Sequence, residues 1–227
     1  MKLKSPAWGK NDRKHFSGDV SANVGEVWPE DSLGSFIVKL ASEDRYKSYL
    51  EIGTWNGLGS TKCFTLGFQN RCCEFDFYSL EINSDKHSFA RQFYENQKNV
   101  YLLNETILNK RPTWFSILKV FPHLIVTRRK RQWLHVDLAN LKTAKCFLNR
   151  SDLPTVFDVV LLDGGEYTTY FEYEVLKNRS KILILDDVKV SKCRRIRNEL
   201  VNRADWELIS EDLALRNGCS AFLRLTS

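Results

Sequence analysis

Short apolar runs recur along the chain, and a polar loop or a helical pattern follows each of them. Such runs are typical of strands that are buried on both faces of a parallel sheet. We predict these strands at residues 48–52, 75–80, 100–103, 157–162 and 181–185. Their alternation with helical segments predicts an α/β fold, in which a mostly parallel sheet carries helices on both faces.

The C-terminal part of the chain departs from this alternation. Two apolar runs, at residues 206–210 and 220–225, are joined by a segment that contains the turn residues Arg216-Asn217-Gly218. A short connection of this kind favours antiparallel pairing. We therefore predict an antiparallel hairpin at the C-terminal end of the sheet.

Two other regions have less regular patterns. Residues 1–30 are polar and irregular and are predicted to form an N-terminal arm, after which Asp31 or Ser32 caps a first helix. Residues 109–154 form a long insertion or substrate region, in which residues 134–136 are predicted as a further strand. With no repeat and no linker, residues 31–227 are interpreted as a single domain.

Composition narrows the class of protein. The 227 residues, 43% of them hydrophobic, are enough for one continuous core, and no apolar run approaches the roughly 20 residues that span a bilayer. Six cysteines without metal-ligand spacing predict free thiols in a reducing, cytoplasmic environment. The net charge of +6 comes from clusters that we interpret as solvated faces, so a nucleic-acid partner is not favoured.

The strongest local motif lies in residues 49–61, where an apolar strand enters a loop with three glycines and Ser60 opens the next helix. Glycines allow a tight turn and let a ligand approach bare backbone. Trp55 stands where a dinucleotide fingerprint has its second glycine, so the loop fits a nucleoside without a pyrophosphate better.

Glu81 is the second candidate binding residue. It ends the second predicted strand, 22 residues after Gly59, close to the spacing of about 20 at which an acid accepts hydrogen bonds from ribose. The alternative is a solvated glutamate at a strand end. Together with the glycine loop, the ribose role is favoured.

At this point the chain resembles the class I S-adenosylmethionine (SAM)-dependent methyltransferases, which have a Rossmann-like fold. The resemblance rests on ExGxxxGxS at residues 51–60, on Glu81, and on the Asn217-Gly218 turn before the last strand. It implies that SAM is the cofactor. It also implies cofactor contacts from Glu51, Gly53, Thr54, Asn56, Gly57, Ser60, Glu81, Ile82, Asn104, Glu105 and Asp163.

Three further acids narrow the resemblance. Asp163 ends one predicted strand and Asp186-Asp187 end the next, and the carboxyl ends of parallel strands meet at one edge of a sheet. Converging carboxylates repel each other unless a cation or protons relieve them, and Mg²⁺ prefers such oxygen ligands. The pattern is similar to that of the divalent-metal O-methyltransferases, including catechol-type and sugar- or glycan-methylating enzymes, which implies that Asp163, Asp186 and Asp187 bind Mg²⁺ or a similar ion.

This resemblance implies methyl transfer to a hydroxyl, which needs a group that takes up the proton. Glu166 stands where related enzymes carry a lysine or histidine, and it is the predicted base, with His135 in reserve. A fourth-ligand role for Glu166 and an ordinary strand position for His135 are the alternatives. The predicted acceptor is a small molecule or glycan.

Two other functions remain open on the sequence alone. An RNA 2′-O-methyltransferase would need a Lys-Asp-Lys-Glu tetrad; Lys39, Asp163 and Glu207 are candidates, but the strand at 181–185 has no interior lysine for the remaining place. A nucleoside-binding scaffold without activity has no need of three clustered acids. A homo-oligomer is compatible with the sequence.

Overall fold

The structure is a computed structural model, and it describes residues 27–122 and 128–225. The predicted N-terminal arm therefore lies outside the described residues except for its last four positions. The single-domain interpretation of residues 31–227 stays a prediction.

Nine strands and seven α-helices follow one another in the described residues. The strands are β1 (Ser48–Ile52), β2 (Asp76–Leu80), β3 (Val100–Leu103), β4 (Glu105–Thr106), β5 (Lys145–Cys146), β6 (Phe157–Leu162), β7 (Ser180–Asp186), β8 (Trp206–Asp212) and β9 (Cys219–Arg224). The helices are α1 (Ser32–Ser42), α2 (Ser60–Phe68), α3 (Ser84–Tyr94), α4 (Trp114–Val120), α5 (Arg128–Thr143), α6 (Thr169–Leu176) and α7 (Ser191–Val201).

Seven of the strands form one sheet, in the order β3-β2-β1-β6-β7-β9-β8. The first five are parallel, whereas β9 runs antiparallel to both β7 and β8. The predicted fold class and the antiparallel C-terminal hairpin are thus confirmed. The order reverses between β1 and β6, and ligands of open α/β sheets bind at such a point, outside the carboxyl ends of the strands.

The central strands are buried on both faces. In β7, Ile182 and Ile184 pack with α1 and α2 on one face, and Leu183 and Leu185 pack with α6 and α7 on the other. Because side chains alternate along a strand, a continuous apolar run supplies both cores at once. This is why the five parallel strands could be recognised from apolar runs.

Side-chain caps fix the starts of several helices. The Asp31 carboxylate accepts a hydrogen bond of 2.7 Å from the Gly34 amide and caps α1, as the sequence predicts. Asn83 caps α3 by accepting from the amides of Asp85 and Lys86. The Asn83 cap starts α3 directly after the end of β2, where Glu81 lies.

The predicted strand at residues 134–136 is wrong, because these residues lie inside α5. Leu134, Leu138 and Leu141 recur at helical spacing, and Leu134 is fully buried against Ile117 and Tyr167. The insertion is instead tied to the rest of the fold by a two-stranded parallel pairing of β4 with β5.

Two further observations concern the surroundings of the protein. Within residues 27–122 and 128–225, none of the helices combines the length and the apolarity needed to span a membrane. All six cysteines are free thiols, and three of them, Cys63, Cys193 and Cys219, are buried.

Candidate active site

The glycine loop (residues 53–59) connects β1 to α2 through three residues with left-handed backbone. Gly53 has φ +100°, Trp55 +53° and Gly57 +75°. A Cβ atom at Gly53 would lie against the carbonyl group of Asp163, so this position tolerates only glycine. The loop is therefore drawn close to the end of β6.

A buried carboxylate supports the loop from below. Glu51, fully buried in β1, accepts hydrogen bonds from the hydroxyls of Ser60 at 2.5 Å, Thr61 at 2.6 Å and Ser79 at 2.5 Å. Ser79 also shares a 2.5 Å hydrogen bond with the Thr54 hydroxyl. Burial raises the pKa of Glu51 to about 7, although the three hydroxyl donors oppose the shift. This network joins β1, β2, the loop and the start of α2.

Glu81 lies beside the loop at the end of β2 and is only 8% exposed. Its Oε2 accepts a hydrogen bond of 2.9 Å from the Trp55 amide, and its Oε1 accepts one of 2.8 Å from the Asn83 amide. Burial raises the pKa of Glu81, and these two amide donors act against it. Each oxygen still has a second lone pair, so the carboxylate can also accept hydrogen bonds from two hydroxyls of a ligand.

A cavity of about 150 Å³ lies between the glycine loop, Glu81, α5 and the segment after β6. Five of the residues predicted to contact the cofactor line it: Gly53, Glu81, Ile82, Glu105 and Asp163. The cavity lies at the carboxyl ends of β1, β2 and β6, where the fold leads one to expect a ligand.

The other predicted cofactor residues lie around the cavity without lining it. The Asn56 side chain accepts a hydrogen bond from the Leu58 amide, and the Asn104 amide group donates to the Glu81 carbonyl at 2.7 Å. The Gly57 carbonyl accepts a hydrogen bond from Tyr94. Glu51, Thr54 and Ser60 belong to the network below the loop. These residues hold the glycine loop and the end of β2, which carry lining residues of the cavity.

Helix α5 supplies cavity residues that the sequence analysis missed. Val136, Asp137 and Asn140 line the cavity, and burial raises the pKa of Asp137 to about 7. Their spacing would have shown a common helical face if residues 134–136 had not been interpreted as a strand. Lys86 is another missed lining residue, with its ammonium 3.2 Å from the centre of the Trp55 ring.

Two adjacent glycines bring further carboxylates to the cavity. A Cβ atom at Gly164 would lie 2.7 Å from Glu172 Oε2, and one at Gly165 would lie 2.7 Å from Asp137 Oδ2. Glu172 is 3% exposed, lines the cavity, and leaves Oε2 without a hydrogen-bond partner. A buried oxygen without a partner is costly unless it is protonated or meets a ligand.

The three predicted metal ligands converge, as the shared edge of the sheet requires, but they do so around two cationic side chains. Lys192, in the first turn of α7, donates to Asp163 and, at 2.9 Å, to Asp187. Arg216 lies 3.6 Å from Asp186 and 2.6 Å from Asp31. We refer to Asp163, Asp186, Asp187, Lys192 and Arg216 as the lysine cluster.

The charges of the lysine cluster shift its acids in different directions. Burial raises the pKa of Asp186 to about 7, and the charges of Asp163 and Asp187 add to this shift. Burial also acts to raise the pKa of Asp187, but the charge and hydrogen bond of Lys192 outweigh it and lower that pKa. For Lys192, burial acts to lower the pKa, yet Asp163 and Asp187 hold it well above its usual value.

These residues do not fit a divalent metal as they stand. Within the described ranges, no group of three or more His, Cys, Asp and Glu side chains is arranged to hold a metal ion. The physical reason is that Lys192 donates to two of the three predicted ligands, Asp163 and Asp187, and lies between them. The lysine cluster therefore differs from the predicted metal triad.

The two predicted proton acceptors lie in different places. Glu166 is partly buried beside the lysine cluster, where burial raises its pKa and Ser191 hydrogen-bonds to it. His135 is exposed on α5 and lines a separate groove, with its ring stacked on Trp114 at 6.1 Å. His135 is thus a helix residue on another face of α5 from Asp137, and not a strand residue facing the cavity.

Comparisons with known proteins support the fold. No protein-family model matches the chain, and no curated protein is similar to it in sequence. Among solved structures, it is similar to the O-methyltransferase from Bacillus cereus in complex with S-adenosylhomocysteine (SAH). The TM-score is 0.54 at 14% identity, over 90% of this chain and 86% of that one.

Two other solved structures, each 14% identical to this chain in sequence, are also similar to it in fold. The O-methyltransferase TomG from Streptomyces achromogenes, involved in tomaymycin synthesis and in complex with SAM, gives a TM-score of 0.55 over 91% of this chain and 85% of that one. A methyltransferase from Geobacter sulfurreducens gives 0.55 over 91% and 83%. With the strand order, the C-terminal hairpin and the glycine loop already described, these matches show that the chain has the Rossmann-like fold of the class I SAM-dependent methyltransferases.

Proposed function

We propose that this chain is a SAM-dependent O-methyltransferase. The observation that carries the proposal is the pairing of the glycine loop with Glu81 in one cavity, at the carboxyl ends of the parallel strands of a methyltransferase fold. In this proposal the Glu81 carboxylate accepts hydrogen bonds from the two ribose hydroxyls. Ile82 and Glu105, which line the same cavity, flank the adenine.

The opposite end of the cavity suits the methionine part of SAM. Gly53 exposes backbone there, and Asp163 and Glu172 line the wall. Thr54 and Ser60 keep the loop in place through Glu51. The unpartnered Glu172 Oε2 gives a cationic part of a ligand a buried acceptor.

When bound, SAM supplies a methyl group on a positively charged sulfur. Its transfer to the acceptor oxygen would leave the electron pair of the broken carbon–sulfur bond on the sulfur of SAH and would release the hydroxyl proton. The hydroxyl proton passes to Glu166, because burial raises the pKa of this carboxyl and makes it a better proton acceptor. The protein contributes the alignment of oxygen and methyl carbon and the acceptor for the proton.

We propose a hydroxyl of a sugar or glycan as the acceptor. Aromatic side chains of the insertion support this choice, because flat rings pack against sugar rings: Trp114 is 40% exposed, Phe115 79% and Trp133 39%. Trp114 and His135 line a groove that also contains Arg111 and Lys142. The six free thiols support a reducing compartment such as the cytoplasm.

Thermal unfolding with SAH tests the cofactor first. A ligand at 100 times its dissociation constant stabilises a protein by about 2.7 kcal/mol, which raises the melting temperature measurably. We expect SAH to do this, and adenosine 5′-triphosphate to give no comparable shift, because the loop does not suit phosphates. No shift with SAH at saturating concentration would overturn the proposal and favour a scaffold role.

Methyl transfer is then measured with SAM that carries a radiolabelled methyl group. A panel of monosaccharides and oligosaccharides is compared with catechol and with single-stranded RNA. Label on a saccharide supports the proposed acceptor. Label on catechol or RNA alone would contradict the sugar assignment and leave the O-methyltransferase proposal standing.

A further inference from the structure

The lysine cluster raises the question of what neutralises its acids. Asp163, Asp186 and Asp187 carry three carboxylates in a small, mostly buried volume, and converging carboxylates need a cation or protons. In the related metal-dependent design, a divalent ion would provide that charge. In this chain a side chain provides it.

The partners of the individual oxygens show how the position is filled. Lys192 Nζ donates to Asp163 Oδ1 and to Asp187 Oδ2. The Asn217 side-chain amide donates to Asp187 Oδ1 at 2.9 Å, and the Asp187 backbone amide donates to Asp186 Oδ1 at 2.9 Å. These are N–H groups directed at the oxygens that a metal would use. A metal ion would have to displace them, since donor hydrogens and a cation repel each other.

Lys192 is held at this position by burial as well as by its partners. It is 7% exposed, so its ammonium has left water and depends on the two aspartates for compensation. The local chain path delivers it there: Asp187, with φ +62°, turns the backbone after β7, and Lys192 follows in the first turn of α7. Lys192 thus belongs to the same chain segment as Asp186 and Asp187, two of the three acids.

We propose that the Lys192 ammonium is the resident cation of this site, that it takes the place of a divalent metal between Asp163 and Asp187, and that the protein works without such a metal. Lys192 is a positioning residue in this proposal, because it fixes the carboxylates beside the cavity. The proposal rests on the proposed methyltransferase function only for the reaction itself. The occupation of the cation position can be tested by binding alone.

The test measures Mn²⁺ binding to the full chain by electron paramagnetic resonance, in which free Mn²⁺ gives the signal that is counted. Three proteins are compared at pH 7.5: the wild type, Lys192→Met, and Lys189→Met as a matched control on the exposed part of the same segment. Methionine keeps most of the apolar stem and removes the charge. We expect no tight binding to the wild type or to Lys189→Met. For Lys192→Met we expect one Mn²⁺ per chain, bound at least tenfold more tightly.

Thermal unfolding gives a second readout on the same proteins. Mn²⁺ is expected to raise the melting temperature of Lys192→Met and to leave that of the wild type unchanged. Stoichiometric micromolar binding of Mn²⁺ to the wild type would overturn the proposal. Equal, weak binding to all three proteins would overturn it as well, because Lys192 would then not be filling a cation position.

The wild type keeps the proposal falsifiable if Lys192→Met does not fold. Methyl transfer by the wild type is expected to continue in excess chelator, and activity that disappears with chelator and returns with Mg²⁺ would overturn the proposal. Failure of the proposed function is recognised separately, as a wild type that does not bind SAH. In that case the Mn²⁺ measurements still decide whether Lys192 holds the cation position.

Discussion

Glu81 and the lysine cluster are both acidic and both lie at the carboxyl ends of the sheet, yet they are compensated differently. Glu81 accepts from two backbone amides, those of Trp55 and Asn83, which carry no net charge, and the Lys86 charge also acts on it. Asp163 and Asp187 accept from the Lys192 ammonium. Neutral donors orient a carboxylate and leave its charge in place, whereas a cationic donor cancels it.

Because of this difference, Glu81 and the lysine cluster are suited to two separate tasks. A carboxylate that is oriented by neutral donors and has lone pairs left over can accept hydrogen bonds from ligand hydroxyls, as proposed for Glu81. Carboxylates that are neutralised by an internal cation hold a fixed arrangement and have less need of an ion from solution. The first region is thus suited to binding, and the second to holding the end of the cavity in shape.

The largest expected effect comes from removing the internal cation. Lys192→Met leaves buried carboxylates uncompensated, so the free energy of unfolding should fall by about 3 to 5 kcal/mol at pH 7.5. Urea unfolding measures the change. Lys189→Met, on an exposed side chain, should stay within about 0.5 kcal/mol of the wild type. Equal losses in both variants would show that the buried Lys192 ammonium does not compensate these carboxylates.

Removing the Glu81 carboxylate should instead affect ligand binding. Glu81→Ala removes charged hydrogen bonds to the ligand and should weaken SAH binding by about 1 to 3 kcal/mol, roughly 5-fold to 150-fold in the dissociation constant. Calorimetric titration with SAH measures the loss. The control is Glu95→Ala, at an exposed position after α3. Unchanged affinity in Glu81→Ala would remove Glu81 from the binding site.

A third test concerns Glu172, whose Oε2 has no hydrogen-bond partner, neither a neutral donor nor a cationic one. Burial raises the pKa of Glu172 to about 8, and the Asp137 charge adds to the shift. The folded protein therefore keeps this proton up to about pH 8, whereas the unfolded chain loses it near pH 4.3. Between these values the folded state binds more protons, so the free energy of unfolding falls as pH rises.

Glu172→Gln cannot ionise and should lose less stability over this range. The difference from the wild type between pH 6 and pH 7 is expected to reach at most about 1.4 kcal/mol. Urea unfolding of the ligand-free proteins at both pH values measures it. Glu174→Gln, exposed on the same helix, should follow the wild type. A Glu172→Gln variant that follows the wild type would show that Glu172 is already ionised at pH 6.

The smallest effect is expected for an ion pair near the cavity that is not buried. Arg150 lies 2.6 Å from Glu105, but its side chain is 39% exposed. Arg150→Met should therefore change the free energy of unfolding by less than about 1 kcal/mol. Urea unfolding of Arg150→Met and Lys192→Met under the same conditions compares the exposed ion pair directly with the buried one. A loss as large as that of Lys192→Met would show that burial does not explain the difference.

The strands and the position of Glu81 beside the glycine loop could be predicted from the sequence, because each depends on a local pattern. The five parallel strands are apolar runs, and their observed bounds differ from the predicted ones by at most one residue at either end. Glu81 follows from its place at a strand end and from its distance to the glycine loop. The end of a strand fixes where such a residue lies, and therefore which groups its side chain can contact.

The lysine cluster and the α5 wall could not be predicted in the same way. The sheet explains why the three acids meet. The position of Lys192 between two of them depends instead on the backbone turn at Asp187 and on the start of α7. Asp137 was missed because Leu134 and Val136 place apolar side chains at alternate positions, as in a strand, and Val136 is β-branched. The helical spacing of Leu134, Leu138 and Leu141 is the better signal.

The position of α5 has a consequence for exchange with solvent. Its apolar face packs through Leu134 and Leu141, while Val136, Asp137 and Asn140 face the cavity. The cavity wall therefore combines chain segments that lie more than 80 residues apart in sequence, and a bound molecule would contact all of them at once. Opening α5 would then require losing that molecule, so the amide hydrogens of α5 should exchange more slowly as the cavity fills.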